Sequence, residues 1–451
     1  MHRRNFLAAS ALAATSATLP LAADDEKKVS ANDKINVALV GCGGMGNGRL
    51  QGFSHLPDFD VIGLCDIDER QIGNSMQILE KAKRPTSSVK TYEDYRKMFD
   101  QLKDLDAVII GTPDHHHAYA LIAAAHAGKN GNGLDVFCEK PLSHNLVEGR
   151  KMVEAIRKQK RVCQIGTQQR SGKHFQDAVK YVQSGKLGHV YLCKTWITNM
   201  TDPNGCGNPP DVAIAPRGVD YDLWLGPAPL RRFNQARFHG NFRWFMDYGN
   251  GLCNDWGVHL NDIVLWAMQV KAPLAVAATG GKFEMQDNSD TPDTLDIAYE
   301  YPGFMHIYTV RRGRMHGGFG GRGHGIEFEG TKGTLTLDRG GWVVTPAKDS
   351  DLEAEKHGSS DQDMSHIRNF LACLRDRDQK TNSDIEDMHR ATTTCHLANI
   401  SYRTGHKLYW DADAERCYRG YDLKQQKFVH EDGDANAWLF REPRSGWKLS
   451  Y

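Results

Sequence analysis

The sequence lacks a net charge, because its 451 residues include 56 lysines and arginines against 56 aspartates and glutamates. A balanced charge gives no electrostatic reason to expect nucleic acid or an anionic membrane surface as the partner. The chain also lacks an internal repeat and a nucleic-acid-binding motif. The sequence therefore favours a small-molecule ligand, and its length favours two domains, since one hydrophobic core rarely serves so many residues.

Long apolar runs are missing as well. The run from Ala8 to Ala23 is rich in alanine and too short to span a bilayer stably. Arg3 and Arg4 precede it, which is typical of a twin-arginine export signal over residues 1–23. We expect a periplasmic or otherwise exported protein whose mature form has no membrane span.

Patterns of metal ligands and paired thiols are also scarce. None of the ten cysteines forms a Cys-x-x-Cys pair, and several lie in apolar, strand-like runs, where a thiol acts as a small hydrophobe. The histidines at 115–117 cannot converge on one ion where they open a helix. The sequence therefore predicts mostly free thiols and no metal site.

A glycine-rich loop follows the first apolar run, Ile35 to Val40. Its glycines have the G-x-G-x-x-G spacing, which permits a tight turn and lets the backbone approach a pyrophosphate at the next helix N-terminus. A strand followed at once by this loop predicts a dinucleotide site. The candidate cofactor-binding residues of the loop are Gly41, Gly43, Gly44, Met45 and Gly46.

Asp66 ends the second apolar run, about twenty residues after the glycine loop. A carboxylate at this position accepts hydrogen bonds from the adenosine ribose hydroxyls and favours NAD over NADP. The alternative is that Asp66 caps the following helix, although Asp68 beside it can serve that role instead.

A further apolar run, Val136 to Cys138, leads directly into Glu139, Lys140 and Pro141. A residue before proline is held in extended geometry, so Lys140 is expected at a strand end, where open α/β sheets bind ligands. The alternative is a solvated Glu-Lys pair closed by a turn proline.

Taken in order, several motifs resemble those of the glucose-fructose oxidoreductase, inositol dehydrogenase and rhizopine-catabolism family, Gfo/Idh/MocA. They are the glycine loop, Thr112-Pro113-x-x-x-His117, Glu139-Lys140-Pro141 and the stretch 166–170. The resemblance implies an α/β Rossmann domain over residues 33–165. It further implies an α+β domain over 166–451 with a large, mostly antiparallel open sheet, whose C-terminal helices pack back on the first domain.

Period-two patterning in the second half agrees with such a sheet, since Leu295, Ile297, Tyr299 and Tyr301 alternate with polar residues. By resemblance, the cofactor site also includes residues outside the glycine loop, and the Lys140-Pro141 bond is expected to be cis. These additional residues are Thr112, Pro113, His117, Glu139, Lys140 and Gln168.

Asp255 and His259 are four residues apart, which places them on one face of a helix. The resemblance implies that His259 is the general base and that Lys140 stabilises a developing alkoxide. Asp255 would orient the base or a substrate hydroxyl. Candidate sugar-binding residues are Arg170, Arg243 and Trp244.

The function implied by the resemblance is hydride transfer between a sugar or polyol carbinol and NAD. An exported enzyme would have to retain its nucleotide tightly, and the open sheet face predicts a homo-oligomer. One alternative is a redox-neutral NAD-dependent glycosidase, although the relatives of that kind replace the lysine of Glu-Lys-Pro. The other is a non-catalytic sugar or nucleotide sensor, which would be expected to lose Lys140 or His259.

Overall fold

The computed structural model describes residues 34–314 and 321–449. The predicted export signal, residues 1–23, lies outside the described residues. In the described part of the chain no helix is long and apolar enough to cross a membrane. All ten cysteines are free thiols, and Cys206 alone among them is not fully buried.

The first domain is built on a six-stranded parallel sheet with strand order β3-β2-β1-β4-β5-β6. The order reverses between β1 and β4, and open α/β sheets bind ligands at the carboxyl ends of the strands at such a switch point. The strands are β1 (Ile35–Val40), β2 (Phe59–Cys65), β3 (Lys90–Tyr92), β4 (Ala107–Ile110), β5 (Asp135–Cys138) and β6 (Cys163–Ile165).

Five helices accompany this sheet, and the residues that precede several of them cap the helix and explain where it begins. Asp68 accepts the N–H of Arg70 at 3.0 Å and caps the second helix. Asn145 accepts the N–H of Glu148 at 3.0 Å and starts the fifth. The helices are α1 (Gly44–Ser54), α2 (Glu69–Lys81), α3 (Tyr95–Gln101), α4 (Asp114–Ala125) and α5 (Leu146–Gln159).

The second domain contains an eleven-stranded sheet in which β10 and β7 form a parallel pair and the other pairs are antiparallel. The predicted alternation in β9 is confirmed, because its apolar residues are buried while their neighbours are only partly so. The strands are β7 (Val190–Met200), β8 (Ala275–Gly281), β9 (Thr294–Tyr301), β10 (Phe304–Gly313), β11 (His324–Gly330), β12 (Gly333–Asp338), β13 (Gly341–Pro346), β14 (Glu355–Gly358), β15 (Leu408–Asp411), β16 (Arg416–Asp422) and β17 (Lys427–Glu431).

Two C-terminal helices return to the first domain. Phe370, on the first of them, contacts Phe53 and Phe137 edge-on in the core between the parallel sheet and its helices. The second begins with Ile385, which is buried in the other core of the same domain. The helices of the second half are α6 (Lys173–Gln183), α7 (Tyr221–Leu225), α8 (Gly251–Asp255), α9 (Gly257–Met268), α10 (Asp363–Arg375), α11 (Ile385–Thr404) and α12 (Gly433–Ala437).

Candidate active site

A cleft opens at the carboxyl ends of β1, β2, β4 and β5, and the glycine loop forms one wall of it. Gly41 has a φ of +89°, and a Cβ there would lie 2.6 Å from the backbone of Gly111. A Cβ on Gly46 would lie 1.8 Å from the carbonyl oxygen of Gly41. Gly43 and Gly44, by contrast, face open space beside the N-terminus of α1, whose free N–H groups suit an anion.

Asp66 lies at the end of β2 and lines the same cleft. Its carboxylate accepts the N–H of Cys42 at 2.6 Å and that of Asp68 at 2.9 Å, and burial raises its pKa to about 6. Asp68, not Asp66, caps α2. Asp66 therefore has lone pairs left for a ligand in the cleft, and its binding of ribose stays a prediction.

The three consecutive histidines are all buried, and burial lowers the pKa of each imidazole. His116 lines the cleft. His117 lies behind it, with Nδ1 2.7 Å from the carbonyl oxygen of Pro141 and Nε2 3.0 Å from that of Thr112. His117 thus joins two cleft-forming loops. Within residues 34–314 and 321–449, no histidine, cysteine and carboxylate cluster suits a metal ion.

Glu139 is held by a buried ion pair that the sequence analysis missed. Arg49 of α1 donates from Nε to Glu139 Oε1 at 2.5 Å and from Nη1 to Asp363 Oδ1 at 2.9 Å. Burial opposes the charge on Arg49, but both carboxylates raise its pKa. Because Arg49 lies on the helix that follows the glycine loop, this pair fixes the loop before Lys140 relative to the dinucleotide cleft.

Lys140 points across the cleft to the second domain. Its Nζ donates to Asp255 Oδ1 at 2.7 Å and to the Asp255 carbonyl oxygen at 2.9 Å, while Arg243 Nε donates to the same Oδ1 at 3.0 Å. Burial alone would raise the pKa of Asp255, but the two cations outweigh it and hold that pKa below its usual range. The Lys140-Pro141 bond is cis, as the resemblance implied.

His259 lies close to this cluster but on a separate helix. The expected single helix through Asp255 and His259 is wrong, because α8 ends at Asp255 and α9 begins at Gly257, with Trp256 between them. His259 is buried, and its Nδ1 has no hydrogen-bond partner among the described residues. Burial, together with the charges of Arg339, Lys140 and Arg49, lowers its pKa well below the ordinary value, so the ring is neutral.

Three further predicted residues lie apart from the cleft. Arg170 is buried in an ion pair with Asp262, at 2.7 Å from Nη2 to Oδ1, and its Nη1 reaches Asp387 at 3.0 Å. The ring of Trp244 lies under the guanidinium of Arg312, at 4.1 Å. Gln168 is buried in a short 3-10 segment outside the cleft lining. Contact of these side chains with a ligand stays a prediction.

Two cleft residues carried no usable sequence signal. Asp114, at the start of α4, is buried beside Arg243 and Asp255, and burial raises its pKa to about 8. His239 reaches from the second domain to the first, where its Nε2 lies 2.9 Å from Asp68 Oδ2. Asp114 occupies a variable position of the Thr112-Pro113-x-x-x-His117 motif, and His239 lies in none of the motifs named above, so neither side chain stood out in the sequence.

The cleft, the glycine loop and the ordered motifs agree with comparison to protein-family models. Residues 35–167 match the model of the oxidoreductase family, NAD-binding Rossmann fold, and residues 203–313 match the C-terminal alpha/beta domain of the same family, together more than half of the chain. The chain belongs to the Gfo/Idh/MocA oxidoreductase family.

Curated relatives of this family member match over part of their length. Inositol 2-dehydrogenase of Salmonella typhimurium is 30% identical over 160 residues, which are 35% of this chain and 44% of that protein. A glycosyl hydrolase family 109 protein of Stenotrophomonas maltophilia is 35% identical over 134 residues, 28% of either chain. The chain thus spans less than half the length of these relatives.

Solved structures match over almost their whole length and show the fold. The WlbA dehydrogenase of Bordetella pertussis, solved with NADH and UDP-GlcNAcA, has a TM-score of 0.61 and 18% identity, over 84% of this chain and all of that one. A Rossmann domain followed by a domain with a large, mostly antiparallel sheet is therefore the architecture of this protein.

Proposed function

We propose that this protein is an NAD-dependent oxidoreductase that transfers hydride between a carbinol carbon of a sugar or polyol and the nicotinamide. The observation that carries the proposal is the cluster of Lys140, Asp255 and Arg243 at the mouth of the dinucleotide cleft, with neutral His259 nearby. Family membership and the match to an inositol dehydrogenase support it.

The residues present fit a dinucleotide. Gly43 and Gly44 leave open space beside the N-terminus of α1, where a pyrophosphate can approach the backbone. Asp66 lines the cleft at the position suited to ribose hydroxyls. When bound, the nicotinamide would supply a hydride acceptor or donor.

Lys140, His259 and Asp255 would have different roles in handling the hydroxyl proton of the substrate. The ammonium group of Lys140, fixed by Asp255, is placed to hydrogen-bond the reacting oxygen and to favour its alkoxide form. His259 has a neutral ring whose Nδ1 has no partner in the part of the chain that the structure describes, so it can take the hydroxyl proton. Asp255 itself is held as an anion by Lys140 and Arg243, so its role is to position Lys140 rather than to accept a proton.

The proposal is tested by incubating the purified full-length protein with NAD and a panel of aldoses, inositols and sugar acids while NADH absorbance is followed. Formation of NADH with at least one member, lost in Lys140→Ala, is the expected result. NADH formation that survives unchanged in Lys140→Ala would contradict the proposed role of the cluster.

A redox-neutral glycosidase is the second candidate, and the match to a glycosyl hydrolase family 109 protein favours it. The retained Lys140 favours dehydrogenation instead. A chromogenic glycoside offered with NAD separates the two. Release of the aglycone without net NADH supports the glycosidase, and an oxidised, uncleaved glycoside supports the dehydrogenase.

We further propose that residues 1–23 direct export by the twin-arginine route and that the protein carries tightly bound NAD(H), since free NAD is not expected outside the cytoplasm. Mass spectrometry of the unsupplemented protein should find nucleotide, and cell fractionation should place the protein in the periplasm.

A homo-oligomer formed through the open face of the large sheet is also proposed, and light scattering tests it.

A further inference from the structure

Arg339 lies in the tight turn between β12 and β13, and its charge acts on His259 of the candidate active site. The turn is fixed by Asp338, whose Oδ1 accepts the N–H of Gly340 at 2.7 Å and whose Oδ2 accepts Arg322 Nη1 at 2.5 Å. Asp338 is therefore already paired with another arginine. Its neighbour Arg339 packs on Trp256 instead.

The guanidinium of Arg339 has no carboxylate partner among the described residues. Its centre lies 4.6 Å from the ring of Trp256, and its buried Nε has no hydrogen-bond partner in that part of the chain. Burial and the nearby charge of Arg49 lower its pKa, which the charge of Asp363 only partly offsets. Arg339 is only partly buried, but its buried Nε has an unmade hydrogen bond, which is unfavourable unless a ligand supplies the acceptor.

The surroundings of Arg339 adjoin the predicted catalytic residues rather than the lining of the cleft. Trp256 joins α8 to α9 and so lies between Asp255 and His259. His324 of β11 also packs on Trp256, with the two rings 4.8 Å apart, and its Nε2 is likewise buried without a partner among the described residues. Arg339, His324 and His259 thus each present around Trp256 a nitrogen that has no partner within residues 34–314 and 321–449.

We infer that Arg339 and His324 bind a carboxylate of the substrate, so that the substrate is a sugar acid or polyol acid rather than a neutral sugar. The inference rests on the proposed function and specifies its substrate class. One guanidinium and one neutral imidazole offer a single positive charge with several N–H donors, which matches a monoanionic carboxylate better than a dianionic phosphate. The same carboxylate would offset the cationic surroundings of His259.

The test uses the full-length protein with NAD and compares glucuronate and galacturonate with glucose, galactose and glucose 6-phosphate. Binding is measured by calorimetry and turnover by NADH absorbance. The acids are expected to bind at least about 10-fold more tightly than the neutral sugars, because a charge-assisted bidentate pair is among the strongest hydrogen bonds. Equal binding of acids and neutral sugars, or tighter binding of glucose 6-phosphate, would overturn the inference.

Arg339→Gln should remove the preference for acids, with a fall of about 30-fold or more in affinity for them. Arg403→Gln is the matched control, since Arg403 is likewise partly buried against a tryptophan, at 4.3 Å from Trp438, in a different region. It should keep the preference. Arg339→Lys, checked for folding by its melting temperature, should keep part of it. An Arg339→Gln protein that binds acids and neutral sugars with equally reduced affinity would refute the assignment.

The two proposals fail separately. Preferential binding of the acids without any NADH formation would leave the carboxylate site standing and remove the dehydrogenase. NADH formation from neutral sugars with no preference for acids would leave the dehydrogenase standing and remove the carboxylate site.

Discussion

Two clusters of buried charges show how differently the same residue types behave in this protein. We call Lys140, Asp255 and Arg243 the open cluster, because its two cations line the cleft, and Arg170, Asp262 and Asp387 the closed cluster. In the open cluster two cations share one carboxylate. In the closed cluster one arginine pairs with Asp262, whose side chain is 1% exposed, and with the more exposed Asp387.

The difference appears in the two aspartates. Burial opposes the charge of both, but the pKa of Asp255 is lowered because Lys140 and Arg243 outweigh burial. The pKa of Asp262 is raised because burial outweighs Arg170. The closed cluster thus uses its charges to hold the fold, whereas the open cluster keeps excess positive charge where an oxygen anion would develop.

The largest expected effect comes from removing the lysine of the open cluster. Lys140→Ala should lower kcat/KM by about 1000-fold, roughly 4 kcal/mol of transition-state stabilisation, because the reacting oxygen loses its cation. Asp255 keeps Arg243, so the fold should survive. Steady-state kinetics with NADH detection measures the change. Lys407→Ala, which breaks a half-exposed pair with Glu300, is the control and should leave the rate unaltered.

Mutation of the closed cluster should change the free energy of unfolding. Arg170→Met leaves Asp262 buried without a partner and should lower the free energy of unfolding by about 3 kcal/mol, as measured by urea denaturation. Arg157→Met, whose partner Asp384 is partly exposed, should cost less than about 1 kcal/mol. If Arg170→Met unfolds at the wild-type urea concentration, the distinction between the clusters is lost.

Asp114 offers a smaller effect in the opposite direction. Its folded pKa is raised to about 8, so its contribution to stability is present below the ordinary aspartate pKa and lost as the pH rises towards 8. Asp114→Asn should therefore be more stable than the wild type near pH 8, by about 1 kcal/mol or more. Asp94→Asn is the contrast, because Arg96 outweighs burial and lowers the pKa of Asp94, and this variant should be less stable. Melting temperatures of the two variants and the wild type at several pH values test this expectation.

The smallest expected effect is that acidification changes the stability contributions of Asp255 and Asp262 in opposite directions. The lowered pKa of Asp255 gives stability that is present above the ordinary aspartate pKa and lost as the pH falls. The raised pKa of Asp262 acts in the opposite sense. The stability gap between wild type and Asp255→Asn should shrink from pH 6 to pH 4 by about 0.5 kcal/mol or less. The wild type should instead gain stability relative to Asp262→Asn over the same pH range, and equal pH dependence of the two variants would contradict these opposite signs.

Several features were predictable because they depend on neighbours along the chain. The glycine loop is required by a turn of a few residues, in which a Cβ on Gly46 would collide with the backbone of Gly41. The strand end before Lys140 follows from the apolar run and the proline. The alternation in β9 follows from one buried sheet face.

Other assignments depended on partners distant in sequence. Contact of Arg170 with a sugar stays a prediction, and only the structure shows that Asp262 and Asp387 accept hydrogen bonds from it. The spacing of Asp255 and His259 predicted one helix, whereas two helices meet there and Trp256 separates them. No local pattern marked Arg49 or Arg339, because their importance lies in what they face across the fold.

From the sequence by itself, local sterics and apolar periodicity determined the glycine loop and the position of Lys140 at a strand end, and the family resemblance implied the Rossmann domain and the mostly antiparallel sheet. Tertiary structure alone decided which charged residues are sealed in the core and which remain available to a ligand. Burial and pairing set the pKa of a charged group and decide whether it can bind a ligand. Burial and pairing in turn depend on groups brought together from distant parts of the chain.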